Sequence, residues 1–306
     1  MINLFGEKII ENPLAVNIYA DESMDRKDCN GNNWDYICII IEREDNPLLP
    51  AIKSERFLNN FDFSSPYYLK NNKILHWSEI YSADEKNICK RWFEFIVNSC
   101  KSSGKFYCYI LGLNETYLND YEFDKNDRFN SIYNRFFRTA IEYALKCFFG
   151  SRKIIVNGIY HEQGIQQNSL LFNWHSIFKL SNEFEFKCNS ICFLPKDHKQ
   201  DEKSNILQLC DCFLGAVINI IHGLKCAKSK KSSYKKDLLD IILPLVEELT
   251  SVNCLNRKDK FSDSVLIRFF PKDHTDKDSP KRQTNLFYCS RDLKYKKDKF
   301  PEIGLF

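Results

Sequence analysis

Glycine and proline are scarce in this 306-residue chain, at 10 and 9 residues, and that scarcity argues against long flexible linkers. Neither sign of charge is in large excess. The formal net charge of +3 is too small to point to nucleic acid on bulk electrostatics alone. The opening stretch MINLFGEKII lacks an apolar core long enough for a secretory leader. No uninterrupted apolar window reaches the length of a membrane span, since the stretch after Leu209 carries Asp211 and stops at His222-Gly223.

Several chemistries lack their signatures. There is no GxSxG, no Walker A glycine loop, no GxGxxG after a strand and no HxE…CxxC spacing. The 13 cysteines do not supply a zinc or disulfide pattern either. Cys188/Cys192 and Cys210/Cys212 are not CxxC pairs, and no second pair with matching His spacing follows. They are expected to be reduced, mostly buried small hydrophobes of a cytoplasmic protein.

The chain is long enough to bury a large core, and its 43% hydrophobic and 28% charged residues are ordinary for a folded domain. Segments 15–20 and 34–41 (WDYICIII) are β-branched and aromatic, separated by a polar stretch with Asn30-Gly31-Asn32-Asn33; together they predict a hairpin with a long turn. A short helix is expected near 54–60 and a strand at 73–77 (KILHW). Ser82 and Glu85 have capping-box spacing, opening a helix through Ser99 that Gly104 stops. Further strands are expected at 105–113, 153–160, 184–194 and 264–270. Helices are expected at about 126–149, 165–180, 204–222 and 236–250, the last interrupted at Pro244. Early hairpin strands followed by alternating helices and strands predict an α/β fold, a mixed sheet with helices on both faces.

The helix over 204–222 is the most informative. At 100° per residue, Ile206, Leu209, Cys210, Phe213, Val217, Ile220 and Ile221 fill one apolar arc. Ser204, Gln208, Asp211, Gly215 and Asn219 form a narrow polar stripe opposite. An aspartate in such a notch loses hydration and needs a cation or dense hydrogen bonding to stay ionised. Gly215, one turn on, keeps the notch open to a backbone or a phosphate. The bland alternative is an amphipathic helix whose polar stripe faces water.

Asp21 and Glu22 follow the first strand directly. In a regular strand Asp21 projects with Tyr19, and Glu22 with Ala20 and Ile18, so the two cannot double one another. Glu79, Glu162 and Asp197 follow later segments, Glu162 in His161-Glu162 after the strand ending at Tyr160. Acids at strand ends of one sheet converge, and several carboxylates in a low-dielectric cleft repel unless Mg²⁺ or Mn²⁺ is bound. Each of these residues also has an ordinary reading as a solvated turn. Lys225, Lys228, Lys230, Lys231, Lys235 and Lys236, and a lysine-rich C-terminus, suit either solvated loops or phosphate contact.

Two segments carry a resemblance. Ile18-Tyr19-Ala20-Asp21-Glu22-Ser23 resembles the Y-x-D-E-S-G motif of the domain-of-unknown-function 3800 family. The segment Ile206-Leu207-Gln208-Leu209-Cys210-Asp211-Cys212-Phe213-Leu214-Gly215-Ala216 is similar to that family's Q-L-A-D-x-x-A-G helix. The motifs come in the family's order, within 14–222. Two positions depart: Met24 stands where the family has glycine, and His161-Glu162 where it has an aspartate. The resemblance implies one ribonuclease H-like domain over 1–306, with core 14–222, a helical insertion 223–262 and a C-terminal strand and basic tail 263–306.

It further implies a metal-dependent nuclease acting on RNA or DNA, in a bacterial phage-defence or toxin setting. Asp21 and Asp211 become primary Mg²⁺ or Mn²⁺ ligands, with Glu79 and Glu162 completing the shell and Glu22 and Gln208 close by. Lysines in 196–203 and 225–236 would meet phosphate. The alternative is a non-catalytic nucleic-acid- or protein-binding module that keeps the fold, with 223–262 or the tail contacting a partner protein.

Overall fold

The computed structural model describes residues 12–28, 31–57, 73–102, 104–118, 123, 126, 128–150, 152–169, 172–222, 230–249, 264–270 and 288–289. Strands β1 (Leu14–Lys27), β2 (Asn33–Arg43), β3 (Tyr107–Asn114), β4 (Ile154–Glu162), β5 (Glu185–Phe186), β6 (Ile191–Leu194), β7 (Val265–Phe270) and β8 (Tyr288–Cys289) form one mixed sheet. Its order is β5-β4-β1-β2-β3-β7-β8, with β6 also on β4. β2 runs antiparallel to β1 and β3, and β8 to β7; the other pairings are parallel. The carboxyl ends of β1, β3, β4, β6 and β7 therefore share one edge.

The apolar run of β2 is buried on both faces, as a central strand must be. Alternation along β1 splits the core. Val16, Ile18 and Ala20 meet Ile132, Phe136, Phe137 and Ala140 of α3 (Arg128–Phe149) on one face. Tyr19 lies on the other face, with the helices α1 (Leu49–Phe57), α2 (Ala83–Ser102), α5 (Ser204–His222) and α6 (Lys230–Leu249). The short α4 (Trp174–Phe178) lies beside α3.

The α/β expectation with helices on both faces holds, and the 204–222 helix appears over the expected residues. The capping box is reciprocal: Glu85 N–H donates to Ser82 Oγ at 3.3 Å, and Ser82 N–H to Glu85 Oε2 at 2.9 Å. By length and apolarity α5 could cross a membrane, contrary to the sequence expectation, but 83% of it is packed inside the protein, where its apolar residues cover the sheet. Cys38, Cys89, Cys100, Cys108, Cys210 and Cys212 are buried thiols, while Cys147 and Cys192 are exposed.

Five expectations change. The helix expected at 236–250 is not interrupted at Pro244 but runs unbroken from Lys230 to Leu249 with the proline inside it. Segment 73–77 is no strand: it runs extended into a single 3₁₀ turn, Trp77–Glu79. Its backbone donors are taken by side chains of α5, so no partner strand is needed. The expected strand 184–194 breaks into β5 and β6, and the expected helix 165–180 into 3₁₀ turns around α4. Finally, β1 does not stop at Ala20 but continues to Lys27 against β2. Lys225 and Lys228, residues 250–262 and most of the C-terminal basic tail lie outside the described residues.

Candidate functional site

Parallel pairing of β1 with β4 ends at Ala20↔His161, and β4 itself ends one residue later. The same register puts Asp21 abreast of Glu162, at the point where β1 loses its neighbour on that side. Asp21 has the parity of Tyr19, so it faces α5 together with Cys38, its partner on β2. Asp211 comes to the same place from above, because Cys210 packs on β2 with Sγ 3.7 Å from the Cys38 carbonyl oxygen.

The three acids feel one another. Asp21 is 7% exposed, and among the described residues no hydrogen bond or ion pair reaches its carboxylate. Burial first, then the charges of Asp211, Glu22 and Glu162, push its carboxyl well above the ordinary range. Burial also raises Asp211, although His76, the Trp77 N–H and Lys196 pull the other way. The Trp77 N–H donates to Asp211 Oδ2 at 2.6 Å, and His76 Nδ1 lies 3.3 Å from that oxygen. Glu162 is paired with Lys196 at 2.6 Å.

Glu22, with opposite parity, sits on the α3 side. His161 Nε2 is 3.0 Å from its Oε2, and the Tyr133 hydroxyl donates to the same oxygen at 3.3 Å. His161 Nδ1 is 2.9 Å from the Glu162 carbonyl oxygen, which can only accept, so Nδ1 carries a proton. Burial disfavours both charges here. Their mutual attraction and hydrogen bonds outweigh it, holding Glu22 low and His161 high. Glu22 is thus neutralised from within the protein rather than left for a metal.

Two other expected residues stand apart. Glu79 is exposed at the end of the 3₁₀ turn and is not among the leading charges on Asp21 or Asp211. Gln208 is a buried clasp with no group left for a ligand. Its Oε1 accepts from Arg56 Nη2 at 2.6 Å and Leu75 N–H at 3.0 Å, and its Nε2 donates to the Lys196 carbonyl at 2.7 Å. Arg56, with no exposed surface, gave no signal in a polar segment; Tyr133 was hidden in an apolar helical face. Asp197 is half-buried and accepts the Lys199 N–H at 3.0 Å.

Gly215 opens α5, but to Trp77. A Cβ there would meet Cγ and Cδ1 of the indole at 2.3 Å, so the expected space for phosphate is filled by this ring. Gly215→Ala is expected to cost at least about 2 kcal/mol by overpacking, read by chemical denaturation. It should also displace the turn whose N–H holds Asp211.

A tighter acidic group lies farther along the sheet edge. Ligand oxygens of Asp25, Asp35 and Glu115 all fall within 4.8 Å of one another. Burial, then a hydrogen bond and charge from Glu115, push Asp35 up to about 9. Residues 25, 35 and 115 are too scattered in sequence to have suggested this meeting.

Compared with known proteins, the chain matches no family model, no curated sequence and no solved structure.

Proposed function

We propose that this chain is a metal-dependent nuclease of the domain-of-unknown-function 3800 family, hydrolysing phosphodiester bonds of RNA or DNA on a ribonuclease H-like sheet. The strand order β3-β2-β1-β4, with only β2 reversed, supports that fold. So does the placing of acids on β1, on the end of β4 and on the following long helix.

Asp21 carries the reading. A carboxylate this buried, feeling the charges of Asp211, Glu22 and Glu162 and reached by no hydrogen-bond donor among the described residues, is unfavourable when charged unless a cation joins it. The donors are all hard oxygens, which suits Mg²⁺ or Mn²⁺. Asp21, Asp211 and Glu162 are the residues to hold it; Glu79 and Gln208 leave the set. Such an ion supplies charge neutralisation and activation of water for attack on phosphorus. The chain's own part is to orient: Trp77 N–H and His76 hold Asp211, and Lys196 holds Glu162. Lys235, with Nζ 3.3 Å from the Ser78 carbonyl oxygen, adds positive charge beside this turn.

A second reading, a non-catalytic nucleic-acid- or protein-binding module, is favoured by one observation. Lys196 and His76 already supply internal partners for Glu162 and Asp211.

End-labelled RNA and DNA incubated with the full chain and Mg²⁺ or Mn²⁺ separate the two. Metal-dependent cleavage by wild type, lost in a folded Asp211→Asn variant, is expected. Equal cleavage by both proteins, or none by either, sinks the nuclease; retained binding without cleavage leaves the module.

A further inference from the structure

The acids at Asp25, Asp35 and Glu115 belong to a different part of the fold from Asp21. Asp25 is four residues beyond Asp21 on β1, about 13 Å along the strand. It lies where the β1–β2 register shifts between Ser23 and Arg26, and its φ of 53° is left-handed. Asp35 is on the opposing β2, and Glu115 opens the 3₁₀ turn Glu115–Tyr117 after β3. Three chain segments therefore bring one carboxylate each to a single point.

Asp35 makes this more than an acidic cluster. Its side chain is 1% exposed and faces into the group. Oδ1 accepts the Asp25 N–H at 3.1 Å. Among the described residues, Oδ2 is buried with no N–H or O–H donor from the backbone or a basic side chain, only the Glu115 carboxyl beside it. A buried carboxylate oxygen with no such donor, beside two more carboxylates, lacks a positive centre on that side. Arg128 does not supply it: Nη1 takes Glu115 Oε2 at 2.7 Å and so aims the glutamate from outside the trio. The depth is graded, from buried Asp35 through half-buried Glu115 to exposed Asp25, so an ion has an entry path from solvent.

We propose that Asp25, Asp35 and Glu115 form a binding site for a hard divalent cation of the calcium or magnesium class, separate from Asp21 and Asp211. Spacing within 4.8 Å suits three carboxylate oxygens around one ion, with water completing the shell. Bound there, the cation ties the ends of β1, β2 and β3 together. Its role is to lock that edge of the sheet, and it does not depend on the nuclease reading.

Titration calorimetry and thermal unfolding of the full chain, stripped with chelator and given CaCl₂ or MgCl₂ alone, test this. Wild type is expected to bind and to melt at higher temperature with the ion, and Asp211→Asn should keep that response. Asp35→Asn should lose one binding event. Asp25→Asn, at an exposed position that should fold, should weaken the same event about tenfold or more. The proposal is overturned if wild type shows neither heat nor a Tm shift with either ion. It is equally overturned if Asp25→Asn and Asp35→Asn titrate like wild type, or if Asp211→Asn removes all binding.

Discussion

Asp21→Asn is expected to make the metal-free protein more stable while removing the proposed nuclease activity. The wild-type carboxyl is raised far above its ordinary 3.8 by burial and by Asp211, Glu22 and Glu162. The sign follows from linkage. The native state holds a proton that the unfolded chain gives up above pH about 4, so stability falls as pH rises from there through the raised native value. An amide has no such proton and escapes the repulsion. Urea denaturation from pH 4 to 8 in chelator should therefore show a declining wild-type curve and a flatter Asp21→Asn curve. Each kcal/mol relieved should raise Tm on the order of 2–4 °C. Added Mg²⁺ should stabilise wild type at pH 8 more than the variant. Cleavage of labelled RNA or DNA should drop at least about 100-fold. A variant less stable than wild type at pH 8 would show that Asp21 is a structural acid, not a strained one.

The second large effect is expected at Gln208. Leucine there keeps the bulk but strips a donor from the Lys196 carbonyl and an acceptor from both Arg56 and the Leu75 N–H. A guanidinium with no exposed surface then loses one of its hydrogen-bond acceptors. A loss of about 3 kcal/mol or more follows, since leaving buried charged donors unmade costs more than a bond gains. Gln208→Glu is the informative partner: its carboxylate keeps the Arg56 contact but loses the donor to Lys196. It should recover part of the stability. A Gln208→Leu protein that denatures with the wild-type midpoint would return Gln208 to the role of a solvent-facing site residue.

Gln208 and Asp211 were legible in the sequence as a polar notch on an apolar helix, because three-residue spacing fixes which side chains share a helical face. The same periodicity could not say what fills the notch. The segment 73–77 fills it, and its apolar composition resembles a strand because both uses demand an extended, half-buried backbone. Likewise the alternation along β1 correctly put Asp21 with Tyr19 and Glu22 with Ala20. That β1 outlasts β4 by several residues, leaving Asp21 at an edge, depends on pairing with β2 and was invisible. His161 looked like a departure from a metal-ligand pattern; in three dimensions it is the partner of Glu22, held also by Tyr133 from α3.

Local periodicity and residue type by themselves determined the α/β class, the long helices and the parity of the two acids on β1, since these depend on neighbours within a few residues. Only the tertiary structure decided which acids share a field. Electrostatic coupling and desolvation depend on distances between segments about 190 residues apart in Asp21 and Asp211, and between three segments in Asp25, Asp35 and Glu115. For that reason Glu79 lies exposed and outside the leading charges on Asp21, Glu22 found an internal counter-charge, and three acids from separate segments met where no motif stood.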